Sequence, residues 1–287
     1  MGKEILKEKQ EERLIAFFDI LGFKELIEKY EDGQNELLDN ISEAISETFE
    51  QFEQLKKFHM EFSRNSILTE WLNSVDKKVF SDNFCISVLL ESPILNMPKH
   101  YNEKFFFQYI SMVQENLMKK EYFVRGAITY GSYYSDDNII FSSGLVEAYK
   151  LESEVAIYPR IIISDKLVEY LKRTEFAYYG DLLIDNCGIV LLNPFNWDLV
   201  DSKIADIEME NRLINQQGHI ENSFEEESQK EKQNKLEAIK LIVENKKEKY
   251  KENVKTRQKY GWLLNFIDSE LNNGISENKM FKKANFK

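Results

Sequence analysis

The stretch that most constrains the fold is residues 13–23, RLIAFFDILGF, where an apolar run ends on an acidic residue followed by a glycine. The run from Leu14 to Phe18 predicts a buried central strand rather than a helix, because it is short, continuous and closed by a turn signal. Gly22 permits a tight turn into an amphipathic segment over residues 24–30. Asp19 therefore falls at the carboxyl end of a strand, where α/β sheets commonly place their chemistry.

Residues 77–90, KKVFSDNFCISVLL, repeat the design as two short apolar strands broken at Ser81-Asp82-Asn83. Paired beside the first strand, they put Asp82 at a hairpin tip facing Asp19 across one end of the sheet. Two convergent carboxylates make a site for a divalent metal ion.

The rest of the first 200 residues alternates helical and strand patterns. A short helix and then a long one fill residues 23–62, with Ile41, Ile45, Phe49 and Phe52 on one face. A helical turn over 63–74 leads into the hairpin, and residues 102–120 read as a helix. Residues 122–131, YFVRGAITYG, form a strand whose interior arginine, Arg125, is either a solvent-facing residue or a phosphate ligand. After a turn at 136–138 come a helix at 142–153, a strand through Ile161–Ile163, a helix at 164–173 capped by Ser164 or Asp165, and strands near 177–184 and 188–192. This order predicts an α+β fold with helices packed on a mixed or antiparallel sheet.

From residue 201 the composition turns to Glu, Lys, Gln and Asn, with sparse apolar positions at Leu236, Ile239, Ile242 and Val243. That predicts a solvated helix pair or coiled-coil arm broken near Gln217-Gly218-His219. Residues 260–271 are apolar enough to dock back, and 272–287 read as a loosely held tail. The expected division is a catalytic domain over 1–200, with a helical segment at about 31–75, and a C-terminal helical extension over 201–287.

Composition bounds the partners. A net charge of −12 across 287 residues argues against nucleic-acid or anionic-membrane surfaces. Two cysteines without paired spacing fit a reducing, cytoplasmic setting. The first 13 residues are too charged for a signal peptide and lack the myristoylation pattern. No apolar run approaches the roughly 20 residues that span a bilayer. His59, His100 and His219 lack ligand spacing, no serine sits in a nucleophile elbow, and residues 131–144 lack a P-loop lysine.

Four blocks in order, FFDILGF at 17–23, KVFSDNFCISV at 78–88, VRGAITYG at 124–131 and GLVEAYKLESEVAIYPRIIIS at 144–164, resemble the class III nucleotidyl cyclase catalytic fold, with its ferredoxin-like sheet. Within it the chain looks most like the bacterial anti-phage Pycsar cyclases, and KYGWLLNF at 259–266 resembles their C-terminal element. The resemblance implies that Asp19 and Asp82, with the backbone carbonyl of Ile20, hold two Mg²⁺ or Mn²⁺ ions. It implies a nucleoside triphosphate substrate, a 3′,5′-cyclic monophosphate product (cUMP or cCMP), a homodimer with sites across its interface, and a separately encoded effector that reads the product. The turn Leu21-Gly22-Phe23 offers backbone N–H groups suited to phosphate oxygens, or Gly22 simply starts a helix.

The chain departs from adenylyl and guanylyl cyclases at two points. Their ribose-orienting Asn and transition-state Arg fall on Val146 and Lys150, so the cation could be Lys150, Arg125 or Arg160. The base-selecting Lys matches Lys78, but its Asp partner falls near Ile139, which fits a pyrimidine reader. Uridine triphosphate is preferred over cytidine triphosphate from the group's tendency alone. A purine cyclase, an inactive sensory module of the same fold, a relative of the diguanylate cyclases and a purely structural helical protein are the rival readings. Phe80-Ser81-Asp82-Asn83 does not resemble a GGDEF-type hairpin, and helices alone do not account for the first half.

Overall fold

The computed structural model describes residues 10–62, 67–95, 97–176, 180–196, 221–272 and 281–284. Its elements run β1 (Glu11–Ile20), α1 (Phe23–Glu31), α2 (Glu36–Phe62), α3 (Ile67–Ser74), β2 (Asp76–Phe80), β3 (Asn83–Leu89), α4 (Tyr101–Lys119), β4 (Val124–Ser135), β5 (Ile140–Ser142), α5 (Ser143–Glu154), β6 (Ile161–Ile163), α6 (Asp165–Arg173), β7 (Leu182–Asp185), β8 (Val190–Leu192), α7 (Glu221–Lys249), α8 (Val254–Leu271) and β9 (Phe281–Lys283). The sheet order is β2-β3-β1-β4-β6-β8-β7-β9, with β5 paired to β4. β1 is thus central, as its continuous apolar run demands.

The first four strands pair antiparallel with one another, and β4 pairs parallel with β6 on its other side. β3 is inserted between β1 and β2, which run parallel to each other, so this part of the sheet is a split β-α-β arrangement. The alternation of β1 sorts its side chains to two faces. Leu14, Ala16, Phe18 and Ile20 enter the larger core with Trp71, Phe106, Ile110 and Leu167. Ile15 and Phe17 face the smaller core under α5, with Ala127, Ala148 and Ile162. Asp19 continues the second series, so it points to the α5 side.

Local chemistry sets the ends of the elements. Ser142 Oγ accepts from Leu145 N–H at 3.0 Å and Ser164 Oγ from Leu167 N–H at 3.1 Å, so Ser164, not Asp165, caps α6. Asp136 closes the β4–β5 turn by accepting from the N–H groups of Asn138 and Ile139. β5 itself was not expected from the sequence; three residues carry too short a pattern to read.

Two expectations for the C-terminal part change. The segment 272–287 is not all a loose tail: Phe281 is 1% exposed, and β9 pairs with β7. The α7 stripe Leu236, Ile239 and Val243 is buried, in one core with Leu183 and Leu191 of the sheet and Tyr260, Leu263, Phe266 and Ile267 of α8. A solvated arm would leave that stripe wet. The expected break at 217–219 and the domain boundary at 200 lie outside the described residues. Among the described residues no helix is long and apolar enough to cross a membrane.

Candidate active site at the carboxyl end of the first strand

Strand register brings the site together. Asp19 lies opposite Asn83 of β3 on one side and Arg125 of β4 on the other. Residues directly opposite share a face, so Asp19 and Arg125 meet across the ladder. Their contact is bidentate: Arg125 Nε donates to Asp19 Oδ1 at 3.1 Å and Nη2 to Oδ2 at 3.3 Å. The next row makes this close approach possible. Gly126 faces Phe18, and a Cβ on it would come within 2.3 Å of both the Phe17 carbonyl and Phe18 Cβ.

Asp82 enters from the hairpin. The turn between β2 and β3 has two residues, with Ser81 at φ 57°, and the Asp82 carbonyl accepts from Ile20 N–H at 3.1 Å. The turn is thereby tied to the end of β1. Asn83 Nδ2 donates to Asp82 Oδ1 at 3.0 Å, which orients the carboxylate. Asp82 and Asp19 both act electrostatically on Arg125 and on Glu152.

Glu152 is the residue that sequence reasoning missed. It is 3% exposed on α5, and its Oε1 lies 2.7 Å from Arg125 Nη2. Burial pushes its carboxyl up to about 7, and the charge of Asp19 adds to that, while Arg125 opposes it. A signal was present: Gly144, Ala148 and Glu152 recur at four-residue spacing and form the buried stripe of α5. An acid in register with Gly and Ala is aimed at the sheet.

Burial works against the charge of Arg125, but Asp19, Glu152 and Asp82 outweigh it and hold the guanidinium above its ordinary range. Lys259, on α8, completes the cluster. Burial holds its ammonium below the usual lysine value and Arg125 lowers it further, whereas Asp19 raises it. Three carboxylates and Arg125 thus gather at one end of β1, with Lys259 in electrostatic reach of Arg125 and Asp19.

The other expected site residues are dispersed. Arg160 is not at this centre: its Nη1 pairs with Asp185 Oδ2 at 2.6 Å, and the two side chains are 5% and 9% exposed. The guanidinium also stacks on Tyr158 and Trp262, 5.4 and 5.6 Å from the ring centroids. A cation so enclosed is committed to the fold. Lys150 is exposed on α5, and Lys78 reaches the Asp136 carbonyl at 3.5 Å. Gly22, at φ 80°, occupies the N-cap of α1, and Phe23 begins the helix with an N–H that has no intrahelical partner. Leu21 N–H is already donated to the Phe123 carbonyl at 2.7 Å, which removes it from the expected phosphate donors.

The donor set fits a hard divalent cation. Asp19 and Asp82 supply carboxylate oxygens, and Ile20, 2% exposed, could add only its backbone carbonyl. Cys85, the cysteine nearest in register, is buried with its thiol pushed up to about 12, so it offers no thiolate. Among the described residues no three His, Cys, Asp or Glu side chains form a metal cage by themselves. A cation here would share Asp19 with Arg125 and draw its remaining ligands from water or substrate.

No protein-family model matches the chain, and no curated protein matches it. Among solved structures, it is similar to the catalytic core of a rhodopsin-guanylyl cyclase with converted specificity in complex with ATPαS. That similarity has 12% identity over 64% of this chain and 97% of the other, with a TM-score of 0.39.

Proposed function

We propose that the chain is a pyrimidine nucleotide cyclase of the class III type, converting UTP, or CTP, to the 3′,5′-cyclic monophosphate and pyrophosphate. The observation that carries this reading is the convergence of Asp19 and Asp82 at one end of the sheet, with Arg125 across the ladder. In the reaction the ribose 3′-oxygen loses its proton, attacks the α-phosphorus and displaces pyrophosphate. Mg²⁺ or Mn²⁺, two ions per site, held by Asp19, Asp82 and the Ile20 carbonyl, would lower the pKa of the 3′-hydroxyl and screen the leaving group.

The chain's own residues do the rest. Asp19 and Asp82 fix the carboxylate oxygens on a rigid strand end and a tied hairpin. The N–H groups at Gly22 and Phe23 orient phosphate oxygens at the start of α1. Arg125 supplies positive charge beside them. The transition-state cation comes from Arg125 or, across a head-to-tail homodimer, from the exposed Lys150 of a second copy. The exposed Val146 and Tyr149, 56% each on α5, and Phe141, 64% on β5, give such a dimer an apolar surface. Lys78 reads the base. As in the anti-phage group it resembles, the product would act on a separately encoded effector from a cytoplasmic enzyme.

A catalytically silent nucleotide-binding module is the second reading, and one observation favours it: Arg125 grips both oxygens of Asp19. The two separate when purified protein is incubated with each ribonucleoside triphosphate and Mn²⁺, and products are identified by mass spectrometry. A cyclic pyrimidine monophosphate from wild type, reduced at least roughly 100-fold in Asp82→Ala with an unchanged melting temperature, is the expected result. A cyclic purine product overturns the base assignment. Nucleotide binding without product overturns the enzyme.

A further inference from the structure

Five lysines of α7 and α8 are half-buried: Lys232, Lys235, Lys240, Lys246 and Lys259. Four of them meet a carboxylate, namely Lys232 with Glu270, Lys235 with Glu231, Lys240 with Asp268 and Lys246 with Glu121. Lys259 has no ion pair among the described residues. Partly withdrawing an ammonium from water costs free energy, and the other four positions offset it with an acid. At Lys259 no acid makes an ion pair; Arg125 and Asp19 both act on it electrostatically, Arg125 the more strongly.

The position of Lys259 is rigidly defined. The next residue, Tyr260, packs edge-on against Phe123 with ring centroids 5.4 Å apart. Phe123 in turn holds Leu21 through its carbonyl, just beyond Asp19 and just before β4. Tyr260 also stacks on Tyr250 at 5.9 Å, and Tyr250 Oη donates to Glu25 Oε2 of α1 at 3.0 Å. The C-terminal helices therefore grip both chain segments that leave the site, and the half-buried Lys259, next in sequence to Tyr260, lies within electrostatic reach of Arg125 and Asp19.

Two convergent cations, one of them lacking an acid, beside the start of α1 describe a place for a multiply charged anion. We infer that Lys259 binds the polyphosphate tail of the substrate together with Arg125, which makes the C-terminal helix pair a working part of the site. This rests on the proposed function for the identity of the anion as the tail of a nucleoside triphosphate. Asp19 already meets Arg125 through both oxygens and makes no ion pair with Lys259 among the described residues.

The test is calorimetric binding of inorganic tripolyphosphate to the full chain, with and without Mn²⁺, at several salt concentrations. Lys259→Met should weaken binding roughly tenfold, the scale of one charge-assisted hydrogen bond, and flatten the salt dependence. Lys259→Arg should restore most of the affinity. Lys255→Met, one turn away and exposed, should bind as wild type. Circular dichroism and melting temperatures check that each variant is folded. Equal binding by wild type and Lys259→Met overturns the inference and leaves the cyclase reading standing. Failure of folded wild type to bind tripolyphosphate or any nucleoside triphosphate overturns both.

Discussion

Arg125 and Arg160 are near neighbours in the sheet, yet they solve opposite problems. Gly126 N–H, one residue after Arg125, donates to the Arg160 carbonyl at 3.1 Å, and each arginine grips an aspartate. Around Arg160 the charge is paired and covered, although its buried Nε has no hydrogen-bond partner among the described residues. Asp185 Oδ2 takes the guanidinium, its Oδ1 accepts from Cys187 and Ile189 N–H, and two aromatic rings cover the cation. Around Arg125 the side chain is 24% exposed, three acids compete for it and a second cation stands by. The first pair holds a fold together, whereas the second keeps unspent charge at an open strand end.

That contrast can be broken by measurement. Arg160→Met should destabilise the protein by about 3 kcal/mol or more, because it leaves Asp185 buried without its cation. Thermal and urea melts read this directly. A loss no larger than that of an exposed ion pair would remove the distinction between the two arginines.

Asp181 sharpens the comparison as a buried acid served by amides. It is 1% exposed, and it accepts from Asn196 Nδ2 at 2.8 Å, with Gln108 and Lys104 of α4 also facing it. Burial pushes its carboxyl up to about 7. A raised acid is protonated in the folded state while the unfolded chain has already ionised. Its contribution is therefore fullest below the ordinary carboxylate range and is lost as pH rises toward 7. Asp181→Asn should gain about 2 kcal/mol on wild type between pH 5 and pH 8. A pH-independent difference would mean that the carboxyl stays ionised and that Lys104 neutralises it.

The smallest stability effect belongs to Arg125. Arg125→Met should cost about 1 kcal/mol, because Asp19 remains partly hydrated and Glu152 can hold its proton. It should still lower nucleotide affinity roughly tenfold or more. If it destabilises as much as Arg160→Met while binding is unchanged, Arg125 is a structural residue.

What could be read in advance follows the range of each interaction. The β1 run, the hairpin and the cap near Ser164 depend on neighbours within a few residues, so their patterns are explicit in the chain. Arg125 was left between surface and ligand because its partners lie 106 residues back, at Asp19, and on a later helix, at Glu152. Arg160 looked equivalent to it, since nothing local distinguishes an arginine that will meet Asp185 from one that will meet Asp19. β9 was unreadable because three residues become a strand only when β7 presents an open edge.

By itself the sequence determined where the longer strands and helices form and which acids end up at a strand terminus, because hydrophobic periodicity and turn chemistry act locally. Only the tertiary structure decided which cation meets which acid, and that the C-terminal helices reach the site. Those outcomes depend on strand register and on the packing of α8 against Phe123, and both bring together residues far apart in the chain.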